Sequence, residues 1–190
     1  MQEQILLAGS TEKGRQLMQT LLPPGKADSV QIAQSGAETR RLLGERDWAF
    51  IVINTPLNDE SGIDLAIDAA DRTSAGVLLL VKAELADAVQ ERLEGDGVLV
   101  VAKPVARPMF DQAMHCAAAS RSRLLKVCAE KTKLEKKLAE IRVIDRAKCL
   151  LIQHQSLTED QAHRYIEKQA MDLRLTRMAV AQNILAQYEM

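Results

Sequence analysis

The sequence predicts an α/β region followed by an all-α one. The first is a doubly wound parallel five-stranded sheet; the second is a coiled-coil helix leading into a small three-helix bundle. Three observations predict this. Five short apolar runs alternate with amphipathic stretches over residues 5–101. An apolar stripe at alternating spacings of three and four runs from Phe110 to Ile141. A capping box, Thr158-Glu159-Asp160-Gln161, then opens a further helix. Strands of a parallel sheet are buried on both faces and read as continuous apolar runs, whereas helices show the three-four spacing.

In chain order, Ile5-Leu6-Leu7-Ala8 is the first strand, and a helical pattern follows through Leu17, Leu21 and Leu22. Pro23-Pro24 ends it, because proline cannot continue a helix. Val30–Ala33 is the second strand and Ala37–Leu43 the second helix. Phe50–Ile53, Val77–Val81 and Val98–Val101 complete the set of strands. Helices over Ile63–Ala70 and near Ala86–Leu93 separate them. In such a sheet the functional site lies at the C-terminal ends of the strands.

After Pro108 the pattern is helical to about Gln153, with no Gly/Ser/Pro-rich linker. Its stripe reads Phe110, Ala113, Ala117, Ser120, Leu124, Val127, Lys131, Leu134, Leu138, Ile141. That is a coiled-coil seam, and the polar interruptions at Ser120 and Lys131 are of the type that fixes register and strand number. A helix lying on its own α/β domain gives a similar stripe. The length of the stripe favours a homodimer, with Leu124, Val127, Leu134, Leu138 and Ile141 as its contacts.

Three helical segments end the chain. Ile141, Ile144, Ala147, Leu151 and Ile152 line the first. Ala162, Tyr165, Ile166 and Gln169 form the inward face of the second, with His163, Arg164, Glu167 and Lys168 outward. Leu157 and Ala162 flank the capping box as a staple does. Thr176 caps the third, with Met178, Ala181, Ile184, Leu185 and Tyr188 inward. Helices this short are marginal alone, so they must pack together. The domains expected are therefore 1–120, 121–141 and 142–190.

The net charge of −1 conceals a division. Residues 1–120 hold 11 Lys/Arg against 17 Asp/Glu, and residues 121–190 hold 14 against 9. An acidic half joined to a basic half suits a sensing or scaffolding domain tied to a polyanion-binding one. No apolar run approaches the roughly 18 residues of a membrane span. The first residues lack a signal pattern, and the expected compartment is the cytoplasm. Cys116, Cys128 and Cys149 are odd in number and lie on helical patterns, so they read as reduced structural residues. Neither a metal nor another cofactor is suggested.

The residues of the last third resemble the ANTAR family of RNA-binding transcription antiterminators. The resemblance rests on RVIDRAKCLLI, the LTEDQA helix start, Tyr165-Ile166, QAMDLR and the closing VAQNIL. Cys149 departs from the family, which commonly has Gly after Ala-Lys; a small Cys keeps the helix and slightly crowds a close contact. The first half is similar to a receiver (flavodoxin-like) domain without its chemistry. Gly9 and Ser10 stand where that family has a metal-binding acidic pair, Asn54 where it has the phosphoacceptor Asp, and Lys82 where it has Thr or Ser. Lys103-Pro104 matches the family. An amide cannot form an acyl phosphate, and without carboxylates there is no hard oxygen cage for Mg²⁺. Asp59 and Glu60 read as loop residues flanking Gly62.

The resemblance implies binding to paired leader-RNA hairpins. Arg142 and Arg146, one helical turn apart, point to one side. With Ala147, Lys148, Arg174 and Arg177 they form the candidate RNA-binding set. Guanidinium groups pair with phosphates and stack on exposed bases. Tyr165 at its apolar spacing reads as a core residue. The expected function is a non-enzymatic, phosphorylation-independent antiterminator, with a regulatory protein as a possible partner. Two alternatives stand beside it: a DNA-binding helix-turn-helix regulator reading through Thr176–Gln187, with Arg177, Gln182, Asn183 and Gln187 as a thin set of readers, and a protein-interaction adaptor.

Overall fold

The computed structural model describes residues 3–23 and 29–188. The chain forms two compact units, Met1–Lys126 and Val127–Met190. In the first, strands β1 (Ile5–Gly9), β2 (Val30–Ala33), β3 (Phe50–Asn54), β4 (Gly76–Lys82) and β5 (Val98–Lys103) form one sheet of order β2-β1-β3-β4-β5. All its pairings are parallel. Helices α1 (Glu12–Leu21), α2 (Gly36–Leu43), α3 (Ile63–Arg72), α4 (Ala86–Arg92) and the start of α5 (Arg107–Gln155) cover it. Each expected strand is present within two residues at its ends. Of the Pro23-Pro24 helix stop, Pro24 lies outside the described residues; α1 ends at Leu21 with Leu22 as its cap.

Alternate residues of each strand supply opposite faces. On one face Leu6, Ile51, Ile53 and Leu79 pack with Leu42, Leu65, Ala66 and Ala69 of α2 and α3. On the other, Ile5, Leu7, Val52, Leu78 and Leu80 meet Met18, Phe110, Met114 and Ala117 of α1 and α5. Trp48, buried beside the first of these, donates its indole N–H to the Leu42 carbonyl at 2.9 Å. Gly62 opens α3 at φ 90, a left-handed conformation that side chains disfavour. The register sets Gly9 beside Asn54 and Lys82 beside Lys103, so four strand ends share one edge.

In the second unit the later part of α5 packs with α6 (Glu159–Leu173) and α7 (Arg177–Tyr188). Ala147, Leu151, Ala162, Ile166, Ala170, Val180, Ala181 and Ile184 form its core, with Leu157 packed against it. The capping box is complete: the Gln161 N–H donates to Thr158 Oγ1 at 3.3 Å and the Thr158 N–H to Gln161 Oε1 at 2.9 Å. Thr176 caps α7 by accepting from the Ala179 N–H at 3.1 Å.

Three readings of the helix faces are corrected. Tyr165 is exposed and Ala170 takes its place in the core. The buried row is Ala162, Ile166, Ala170, and Tyr165 lies about 100° round the helix from Ile166, beyond the edge of that row. Ile141 and Ile152 are also exposed. All three cysteines are exposed and unpaired, which removes their structural role. Cys149 falls two residues beyond buried Ala147, on the far side of α5, and crowds nothing.

Candidate functional site

At the strand edge, Lys103 donates from Nζ to Asn54 Oδ1 at 3.0 Å and to the Thr55 carbonyl. Burial, then the charge of nearby Lys82, pushes the Lys103 ammonium below the usual lysine range. Arg15 Nη1 donates to the carbonyls of Gly9 at 2.9 Å and Ser10 at 3.1 Å, and its Nη2 pairs with Glu12 at 2.6 Å. The start of α1 comes close to the amide, since a Cβ on Gly14 would lie 2.6 Å from Asn54 Nδ2. The receiver-type magnesium ion does not fit these residues. No carboxylate stands at Gly9, Ser10 or Asn54, and a guanidinium already satisfies the strand-end carbonyls.

The loop after β3 carries acids with a different task. Asp59 accepts from the N–H groups of Gly36 at 2.8 Å and Ala37 at 3.0 Å, at the start of α2. Those bonds hold its carboxyl below the usual range. Arg40 is bidentate to Glu60 and pairs with Asp68 at 2.6 Å, tying α2, the loop and α3 together. Both acids are engaged in these bonds, which brace the loop. Nothing in a linear sequence flags these bonds or those of Arg15.

Of the residues expected to touch RNA, Arg142 and Arg146 are exposed on one side of α5, one turn apart. Ala147 is fully buried against the core, so the close helix packing uses it and its side chain cannot reach a ligand. Lys148 is half-buried, bonded to Asp145 at 2.8 Å and within 3.6 Å of Glu159. The Asp145 bond leads in raising its pKa. Arg177 pairs with Glu167 at 3.2 Å, and His163 approaches the same carboxylate at 3.3 Å. Arg174 is exposed and ends α6 in the left-handed conformation at φ 53. A small cleft of about 230 Å³ gathers Ile144, Asp145, Lys148, His163, Ile166 and Arg177.

The basic character of the second half is not spread over the bundle. Residues 121–148 hold 10 Lys/Arg against 4 Asp/Glu, whereas residues 149–190 hold 4 against 5. The positive charge belongs to α5, including Lys133, Lys136 and Lys137, whose run KTKLEKKLAE reads in the sequence as the flanking charge of a solvated two-stranded helix. On the same helix Leu124, Val127, Leu134, Leu138 and Ile141 are between 44% and 62% exposed. Five large apolar side chains along one stripe of a single helix are more than scattered surface residues.

Among the described residues no helix is long and apolar enough to cross a membrane, and no group of three His, Cys, Asp or Glu is placed to hold a metal.

The ANTAR domain family matches residues 132–185. The transcriptional regulatory protein PdtaR of Mycobacterium tuberculosis is 27% identical over 161 residues, covering 85% of this chain and 76% of that protein. A signal receiver domain of an HD domain-containing protein from Pseudomonas fluorescens Pf-5 superposes with a TM-score of 0.58 at 20% identity, over 66% of this chain and 93% of that one. For a response regulator receiver domain from Clostridium thermocellum the TM-score is 0.55 at 21% identity, over 65% and 98%. At such identities the likeness establishes the fold of the α/β unit.

Proposed function

The chain carries an ANTAR domain behind a receiver-type α/β fold, and from that premise we propose that it is a cytoplasmic regulator that binds leader-RNA hairpins and acts as a transcription antiterminator. The observation that carries the reading is the ANTAR match at residues 132–185, which overlaps the most basic stretch of the chain. The likeness to a protein described as a transcriptional regulator supports it. Arg142 and Arg146 supply the contact surface, joined by Arg174 and Arg177. RNA loops offer splayed bases and phosphates to such groups. Lys148 is mostly engaged within the bundle and positions it.

The exposed seam pairs two copies, so that two bundles meet a target with two equivalent hairpins. The receiver-type unit works without aspartyl phosphate, and a protein partner supplies its input. Asn54 and Arg15 support this reading, because an amide stands at the acceptor position and a guanidinium engages the strand-end carbonyls of Gly9 and Ser10. The test is transcription in vitro through a leader terminator preceded by tandem hairpins. Read-through should rise with added protein and stay flat on a template whose hairpin loops are scrambled. Equal read-through on both templates at saturating protein would remove the antitermination reading.

A further inference from the structure

The flank of the seam carries a charge pattern that the pairing of two helices does not by itself explain. In a parallel, in-register pair, Leu124, Lys131 and Leu138 occupy one core position of the heptad, and Val127, Leu134 and Ile141 the other. The flanking positions then set Glu130 of one protomer beside the partner's Glu135, and Lys137 beside the partner's Arg142. Flanks of this kind ordinarily carry opposite charges; here both pairs are like-charged.

The acidic pair is neutralised from inside the seam. Lys131 lies 3.9 Å from its own Glu135, and knobs-into-holes packing seats it against the partner's Val127, Glu130, Lys131 and Leu134. The basic pair has no such answer. Leu138 is the core residue between its members, and among the described residues neither Lys137 nor Arg142 forms an ion pair. Both are exposed, with Lys133 and Lys136 on the neighbouring surface. Glu140, one turn from both Lys136 and Lys137, and Asp145, one turn from Arg142 but bonded to Lys148, offset only part of the charge.

We propose that Lys137 of one protomer and the partner's Arg142 form a composite polyanion site where the paired helix enters the bundle, and that the RNA phosphate backbone occupies it. The proposal rests on the RNA-binding, dimeric reading above and deepens it: the Arg142–Arg146 surface of each chain is extended across the dimer by Lys137 of the other. Two symmetry-related sites follow for each dimer. A phosphate between the two cations replaces repulsion with attraction, so RNA binding and dimerisation reinforce each other.

The substitution that separates this from a solvated lysine face is Lys137→Glu. It turns the like pair into an opposite one and removes the anion site in the same step. Full-length wild type, K137E and the double variant K137E/R142E are compared by sedimentation without RNA and by titration with a tandem-hairpin RNA, with circular dichroism as the folding control. K137E should dimerise more tightly than wild type by about fivefold, because two flank pairs change sign. It should bind RNA about tenfold more weakly at low salt, with a flatter salt dependence. The double variant should show neither the tighter dimer nor the wild-type RNA affinity. Tighter dimerisation with unchanged RNA affinity would overturn the site. Weaker RNA binding with unchanged dimerisation would overturn the cross-chain pairing, as an antiparallel arrangement requires. Failure of the wild type to bind the RNA at all would instead refute the RNA reading itself.

Discussion

Lys103 Nζ lies 3.0 Å from Asn54 Oδ1, joining the ends of β5 and β3 across the edge where a receiver-type fold would do its chemistry. The neighbouring carbonyls of Gly9 and Ser10 accept from Arg15. An ammonium and a guanidinium of the chain itself thus occupy this edge.

No phosphoryl uptake is therefore expected. Incubation with acetyl phosphate and Mg²⁺ should leave the intact mass of the protein unchanged. Asn54→Asp alone should also fail, since no acidic pair accompanies it and Arg15 keeps its place. A stable phosphoryl adduct on the wild type would end the reading of an unphosphorylated domain.

The seam makes a second prediction. Replacing Leu134 and Leu138 together with Asp buries unpaired charge in a dimer, at a cost on the order of 3–5 kcal/mol. It changes little in one chain alone, where both side chains are exposed. Sedimentation should give a monomer with an unchanged circular dichroism spectrum. A wild type already monomeric at tens of micromolar would contradict the seam.

What the sequence made legible follows from the kind of signal each feature leaves. The strands were plain because both faces are buried, so Phe50–Ile53 reads as an unbroken apolar run. The Thr158 capping box was plain because its bonds are local. Arg40–Glu60, Asp59 on α2 and Arg15 on the β1 carbonyls were not, since partners that meet only through the fold have no joint signature. Tyr165 was misplaced for another reason: spacing fixes the centre of a helix face but not its width. The lysines of KTKLEKKLAE read from the sequence as the solvated flank of a paired helix, and their share of the positive charge shows only when Lys and Arg are counted element by element.

Ala147 and Cys149 test the packing of the bundle. Ala147→Leu overfills a fully buried position and should cost about 1–3 kcal/mol in thermal or denaturant unfolding of the bundle. Cys149→Ala, on the exposed side, should stay within about 0.5 kcal/mol. Equal effects would contradict the burial pattern.

Asp59 should leave a signature in acid. Its folded pKa lies below the usual carboxylate value because the Ala37 and Gly36 N–H groups bond the charged form. The stabilisation is therefore present above the ordinary carboxylate pKa, and it is lost as pH falls through the lowered one. Asp59→Asn should flatten the loss of stability below about pH 4 relative to wild type. Parallel acid-unfolding curves for the two proteins would remove Asp59 from the α2 start.

The central claim is that the exposed basic surface of α5 binds RNA, and equilibrium titration tests it most directly. Wild type and Arg146→Ala are titrated against a tandem-hairpin leader RNA and a duplex DNA of the same length, at several salt concentrations. The wild type should prefer the RNA. Arg146→Ala should weaken binding by about 1.5–3 kcal/mol if the guanidinium makes a charge-assisted hydrogen bond to the RNA. Its salt slope should be lower by a little under one for each phosphate that the variant no longer neutralises. The helix should persist, since Ala is the best helix former. Equal binding of RNA and DNA, or equal affinity and slope for the two proteins, would contradict the account.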